Sequence, residues 1–301
     1  GLVSKKVKIY YHKQPHFFNW LPENCTQYAF FSGTVGPNQK ILTFSRDSEG
    51  NKLFSKIAYG KSSNSLINNE VAALYFLSKQ KVKTFDFPAI VNRSNASLTI
   101  RELKLGENIE HLTSSHMQAI QELYDLDSYE SLIANGTIDS QINEIKTFKS
   151  KDKVMETLKM SLVDNYQIVK QTNKEIKMGF GHGDFTPWNC SLRADRLVVF
   201  DWEMADEYPL LYDLFHFIIQ NMIMNTQCDM NEIMSKVSEQ MNAPAQVAFC
   251  SKNKVVWKNQ LEAYLLTVSS YYFKIYHKQD VIHVQAIRAM NLWSQLLTEC
   301  T

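Results

Sequence analysis

Along the first hundred residues, apolar and polar positions follow strand-like runs broken by turns. Tyr28-Ala29-Phe30-Phe31 and the run from Lys40 to Ser45 predict two strands joined by the glycine-bearing turn Ser32–Asn38. A second turn at Asp47-Ser48-Glu49-Gly50-Asn51 leads into a third strand from Lys52 to Tyr59. Strand side chains alternate, so Phe54, Lys56 and Ala58 share a face. An unpaired ammonium among apolar neighbours is expensive, and Lys56 therefore demands an anionic partner. The next segment offers one: Ser65 to Lys79 is apolar at Leu66, Ile67, Val71 and Leu74, a helical stripe with Glu70 on its edge. Phe87–Val91 and Ala96–Ile100 then predict a hairpin around Asn92–Asn95, while Lys8–Tyr11 reads as a short leading strand in a stretch without firm periodicity.

Beyond residue 107 the period becomes helical. Helices are predicted over Ser114–Leu126, Thr147–Lys174, Leu214–Met224, Asn231–Met241, Val255–His277 and Val281–Glu299. The Lys149–Lys153 charge run reads as the solvated start of the second of these. The aromatic residues Trp257, Tyr264, Tyr271, Tyr272, Phe273, Tyr276 and Trp293 fall at helical spacing and read as core in the first instance.

Composition narrows the class. With 301 residues, 45% hydrophobic and 21% charged, the chain suits a folded protein of two packed lobes or one large domain. Lys and Arg total 32 against 31 Asp and Glu, so no global field favours nucleic acid or an anionic membrane as partner. Cys25, Cys190, Cys228, Cys250 and Cys300 are scattered, odd in number and form no Cys-x-x-Cys pair, which points to reduced thiols in a cytoplasmic setting and to no structural zinc. No apolar run reaches the roughly 18 residues of a membrane span, and the N-terminus lacks the apolar core of a signal peptide. A first residue of Gly rather than Met is read as a remnant, leaving room for a longer parent chain.

The chemistry concentrates in one stretch, Phe180-Gly181-His182-Gly183-Asp184-Phe185-Thr186-Pro187-Trp188-Asn189, followed after an apolar run by Asp201-Trp202-Glu203. Phosphoryl transfer needs a positioned nucleophile and neutralised phosphate oxygens more than it needs covalent chemistry. Asp184 is the candidate base for an acceptor hydroxyl. Asn189 offers a neutral amide oxygen and Asp201 an anionic one, hard ligands suited to Mg2+. Gly181 and Gly183 free the backbone of the loop, and a turn at Ala194-Asp195 between two short strands delivers Asp201 beside Asn189.

His-Gly-Asp-x-x-x-x-Asn followed by an apolar run and Asp-Trp-Glu resembles the catalytic loop and metal-binding segment of the aminoglycoside phosphotransferase and choline kinase family, relatives of the protein kinases. Gly183 stands where protein kinases carry Arg, and Glu203 where they carry Gly, departures shared with the small-molecule branch. The resemblance implies a bilobal, protein-kinase-like α+β fold: a small antiparallel sheet with one helix over residues 1–101, a hinge over 102–106, and a mainly helical lobe over 107–301, with ATP between the lobes. It further implies that Lys56, backed by Glu70, binds the α- and β-phosphates, and that the Gly33 and Gly36 turn covers the nucleotide. On the same resemblance, backbone groups from about Glu102 to Lys104 would meet the adenine edge. It also implies that His182 and Asp213 support the loop by hydrogen bonding and that Glu203, Asp206 and Glu207 line the acceptor pocket. The function expected is ATP- and Mg2+-dependent phosphorylation of a small-molecule hydroxyl: a sugar, an amino sugar or a choline-like acceptor. An inactive nucleotide-binding regulatory domain and a protein kinase are the rival readings.

Overall fold

The computed structural model of the chain describes residues 25–33, 36, 38–149, 152–279 and 281–300. The expected leading strand at Lys8–Tyr11 lies outside them. In chain order the elements are β1 (Cys25–Phe31), β2 (Lys40–Asp47), β3 (Lys52–Ala58), α1 (Lys61–Lys79), β4 (Phe85–Asp86), β5 (Ile90–Arg93), β6 (Ser97–Arg101), α2 (Ser114–Leu126), β7 (Ser128–Leu132), α3 (Gly136–Thr147) and α4 (Lys153–Thr172). They continue with β8 (Glu175–Gly181), β9 (Cys190–Arg193), β10 (Arg196–Val199), a 3-10 turn at Trp202–Met204, β11 (Asp206–Pro209), α5 (Tyr212–Asn225), α6 (Met230–Met241), α7 (Pro244–Asn253), α8 (Trp257–Tyr276) and α9 (Val284–Glu299).

The chain divides into two compact units. One contains residues up to Leu74 together with Pro88–Leu103, the other Tyr75–Phe87 together with the chain from Lys104 onward. Residues 75–87 thus group with the second unit, although the sequence pattern puts the whole of 1–101 in the first.

The first unit is built on a five-stranded antiparallel sheet of order β1-β2-β3-β6-β5. Its central strand β3 pairs Lys56 with Leu42 on one side and Leu98 on the other, and Leu53 and Ile57 are buried with it. Ile67, Val71 and Leu74 of α1 complete this core, as the helical stripe predicts.

The second unit is mainly helical, with two three-stranded sheets that frame the loop between β8 and β9. One has the order β11-β8-β7, the other β4-β10-β9. Helix α8 runs through the core, with Leu261, Tyr264, Leu265, Leu266 and Phe273 almost fully buried. The helical pattern is interrupted where the sequence reads as continuous. The helix expected over Thr147–Lys174 begins only at Lys153, because Phe148 turns extended (ψ 137°) and the Asp152 carboxylate caps the new helix by accepting the Val154 and Met155 N–H groups. The residues before the break form a separate helix, α3, capped by Asn135.

Candidate active site

Strand β8 carries the chain to Gly181, and the next eight residues form a loop that closes into the β9–β10 hairpin. Gly183 takes a left-handed backbone (φ +80°), and a Cβ there would lie 2.3 Å from the Met204 carbonyl oxygen and 2.6 Å from the Tyr208 hydroxyl. No larger residue fits without moving the loop, which explains why an Arg has no place here. Phe185, fully buried, anchors the loop among the rings of His116, His182 and Phe217.

Two hydrogen-bonding devices hold this loop. The Asp213 carboxylate, in the first turn of α5, accepts the backbone N–H of His182 through Oδ2 at 2.8 Å and that of Gly183 through Oδ1 at 2.9 Å. Burial pushes the Asp213 carboxyl above the usual range, and the opposing influence of His182 and of these two amides holds the rise back. The N-cap of α5 is Leu211, so Asp213 is no helix cap; it is a bracket for the loop. His182 supplies the second device. Its Nδ1 accepts the Asp184 N–H at 3.2 Å, leaving Nε2–H to donate to the Phe200 carbonyl at 3.0 Å.

The side chain of Asp184 is thereby presented from a fixed backbone. Its Oδ2 accepts Nδ2–H of Asn189 at 2.8 Å, and the same amide nitrogen donates to the Asp184 carbonyl at 2.9 Å. Both partners are acceptors, so the NH2 end of Asn189 must face Asp184 and its Oδ1 is turned the other way. A third contact was not legible in the sequence: His216 Nε2 lies 3.1 Å from Asp184 Oδ1. His216 sits inside an apolar helical run, and its only sequence signal is its place one turn beyond Asp213.

Asp201 follows β10. The hairpin turn at Ala194 and Asp195 has positive φ at both residues (47° and 65°), the signature of a tight two-residue connection. The ladder runs from Arg196–Arg193 to Val199–Cys190 and continues with the Phe200 N–H to Asn189 carbonyl bond at 3.1 Å. Asp201 therefore leaves the hairpin directly after the residue bonded to Asn189, in a left-handed conformation (φ 67°) that Asp adopts more readily than most residues other than Gly. The hairpin is braced by Asp86 of β4, which pairs with Arg193 Nη2 at 2.7 Å and Arg196 Nε at 2.6 Å. Cys190, buried in the same hairpin, has its thiol pushed up by burial.

In the first unit the expected pair is formed: Lys56 Nζ lies 2.6 Å from Glu70 Oε2, both nearly inaccessible. Gly33 is left-handed (φ +70°) and would clash with the Lys40 carbonyl if it bore a side chain; Gly36 accepts the Gln39 N–H at 3.1 Å. Thr34, Val35 and Pro37 of that turn lie outside the described residues. Glu102 donates its N–H to the Lys52 carbonyl at 2.9 Å and sets its carboxylate 3.1 Å from the Lys52 ammonium, so that N–H is engaged within the sheet. The Lys104 carbonyl accepts Arg193 Nη1 at 3.3 Å.

Of the acidic residues expected near an acceptor, Glu203 lies half-buried in the 3-10 turn, and Asp206 pairs with Gly181 at the start of the loop. Glu207, exposed on β11, accepts the Tyr129 hydroxyl at 2.7 Å, which pushes that phenol up to about 12.

Comparison with known proteins fits this geometry. Residues 155–247, spanning the loop, the hairpin and α5, match the model of the phosphotransferase enzyme family, APH. The match covers 93 of the 301 residues. No curated protein matches the chain by sequence. Solved structures with the same fold include an ethanolamine kinase of Plasmodium vivax (13% identity, TM-score 0.58, covering 90% of this chain and 81% of that one). An ADP-bound aminoglycoside phosphotransferase, APH(2'')-Ib, is similar at 15% identity with a TM-score of 0.55, covering 92% and 95% of the two chains. A macrolide 2'-phosphotransferase type I is similar at 12% identity with a TM-score of 0.53, covering 81% and 83%. The kinase-like fold expected from the motif is thus found, and the segment that carries the motif is similar to the expected phosphotransferase family. No helix among the described residues is long and apolar enough to cross a membrane.

Proposed function

We propose that this chain is a phosphotransferase that moves the γ-phosphoryl group of ATP to a hydroxyl of a small molecule, with Asp184 as the base. The observation that carries the reading is the double hold on Asp184: its backbone is fixed through His182 and Asp213, and its carboxylate is gripped by Asn189. A carboxylate so oriented accepts the proton of an approaching hydroxyl without first reorganising, which is how positioning contributes to rate.

The donor set fits a hard divalent cation. The Asn189 NH2 is committed to Asp184, so its Oδ1 is an available amide oxygen, and Asp201 adds a carboxylate. These two residues would hold Mg2+, which when bound neutralises charge on the phosphate oxygens. Lys56, fixed by Glu70, supplies a cation for the α- and β-phosphates, and the Gly33 and Gly36 turn supplies backbone N–H groups. The hinge contact falls to the backbone from Glu102 to Lys104. The lobes that the resemblance implies, 1–101, 102–106 and 107–301, remain the working division for these roles.

For the acceptor we retain Glu203, Asp206 and Glu207, which suit a cationic sugar or a choline-like alcohol. An aminoglycoside and an amino alcohol are the first acceptors to try, in keeping with what the names of the similar solved structures say of those proteins. Five free thiols suit the reducing cytoplasm.

The test is ATP consumption over a panel of hydroxylated acceptors with wild type and Asp184→Asn. Turnover should fall by at least ~10² with nucleotide affinity retained. Equal rates would remove Asp184 from the mechanism.

A further inference from the structure

The imidazole of His216 plays no part in the family motif, yet it touches the group on which the chemistry turns. His216 is 1% exposed, and its Nε2 stands 3.1 Å from Asp184 Oδ1. On its other side Nδ1 faces the hydroxyl of fully buried Tyr264 at 3.4 Å, and the ring lies nearly parallel to Tyr212, 5.6 Å between centroids. His216 and Asp213 are three residues apart on α5, hence on one face of the helix. One helical face therefore holds the backbone of the loop through Asp213 and the side chain of Asp184 through His216.

Resting on the reading of Asp184 as the base, we infer that His216 is a positioning residue that sets the plane of the Asp184 carboxylate. Each carboxylate oxygen has a donor of its own, Asn189 on Oδ2 and His216 on Oδ1. With Asn189 alone, the carboxylate can swing about its terminal torsion, which is broad and two-fold. With both donors in place that torsion is pinned, and the lone pairs left over point in fixed directions. A neutral imidazole with its proton on Nε2 satisfies both neighbours: Nε2–H donates to Asp184, and Nδ1 accepts from the Tyr264 hydroxyl. The opposite tautomer would aim a lone pair at a carboxylate. The acceptor-only carboxylate of Asp184 thus selects the Nε2–H tautomer, and the Tyr264 hydroxyl, able to donate, serves the Nδ1 that remains, so that a buried phenol, an imidazole and a carboxylate form one chain of hydrogen bonds.

Substitutions at His216 separate positioning from packing. His216→Gln can place an amide N–H near the position of Nε2; His216→Phe keeps the ring and removes the donor. Steady-state kinetics with ATP and Mg2+, using ethanolamine and an aminoglycoside as acceptors, should show His216→Phe lowering kcat roughly ten- to hundred-fold with little change in KM for ATP, the scale of a small misplacement of a reacting group. His216→Gln should recover most of that loss. Wild-type kcat in His216→Phe, or equal loss in both variants, would overturn the assignment. A readout independent of turnover is the 15N spectrum of the imidazoles. His216 should appear as a neutral Nε2–H tautomer whose resonances move in Asp184→Ala; an Nδ1–H tautomer, or no response to Asp184→Ala, would overturn the hydrogen-bond chain. Wild-type turnover in Asp184→Asn would instead reject the base assignment, while the spectrum still reports on the His216 contact.

Discussion

Asp213 accepts the backbone N–H of His182 at 2.8 Å, and with its second oxygen that of Gly183, so one buried carboxylate fixes two successive peptides of the loop that carries Asp184. Asp213→Asn keeps the shape but turns one acceptor into a donor facing an N–H. We expect a loss of about 2 kcal/mol of stability, the scale of a buried bond to a charged group, together with a drop in kcat. Urea unfolding and steady-state kinetics on the same preparation check both. Unchanged stability and turnover would show that the loop does not depend on this bracket.

Gly183 is the second structural requirement of the loop. Gly183→Ala places a methyl within 2.3 Å of the Met204 carbonyl at a φ of +80°, so the loop must shift. Turnover should fall at least ~10-fold while the far-ultraviolet circular dichroism stays that of wild type, in line with the sensitivity of rate to small misplacement. Gly136→Ala is the control: nothing lies within 4 Å of its Cβ, and stability should hold or rise by about 0.5 kcal/mol.

How far the residues could be read ahead of the structure follows from which physical signal each one leaves. The loop around Asp184 was readable because its chemistry demands particular residue types at particular spacings, and the Ala194-Asp195 hairpin because short apolar runs flank a polar turn. Lys56 announced its partner because a buried ammonium must have one, and Glu70 stands at 2.6 Å. Strand β4 left no such trace. Two residues have no periodicity, and its parallel pairing with β10, with Asp86 between two arginines, arises from contacts over a hundred residues apart. The break before Lys153 was hidden by continuous helical spacing, although Asp152 is a cap residue, and α7 was missed for its weak amphipathic pattern. His216 lay among apolar neighbours on a helix buried on nearly every side, where sequence gives no direction to a lone imidazole.

The Lys56–Glu70 pair separates function from stability. Lys56→Met removes the ammonium that balances a buried carboxylate and should cost about 3 kcal/mol, while also weakening turnover with ATP. Adding Glu70→Leu removes the carboxylate as well, and most of the lost stability should return without the activity. Thermal unfolding and kinetics of the single and double variants test this. Recovery of turnover in the double variant would mean that the lysine serves packing alone.

His116 gives the protein a pH dependence of predictable sign. Its Nδ1 accepts the Thr113 N–H at 3.2 Å and lies 2.8 Å from the Thr113 hydroxyl, its Nε2 is buried without a hydrogen-bond partner, and the ring packs edge-on against Phe185 and Phe217. Burial first, and the charge of His111 second, lower its pKa from 6.5 to about 4. The unfolded chain takes up a proton below about pH 6.5 that the folded chain refuses until about pH 4, so the folded state loses stability as pH falls through that window and no further below it. Since each pKa unit corresponds to about 1.36 kcal/mol, the whole effect is about 3 kcal/mol. Urea midpoints between pH 7.5 and 4 for wild type and His116→Gln isolate it, since every other titrating group is common to both. Wild type should weaken relative to the variant across this range, and parallel curves would show that the folded protein accepts a charge at His116.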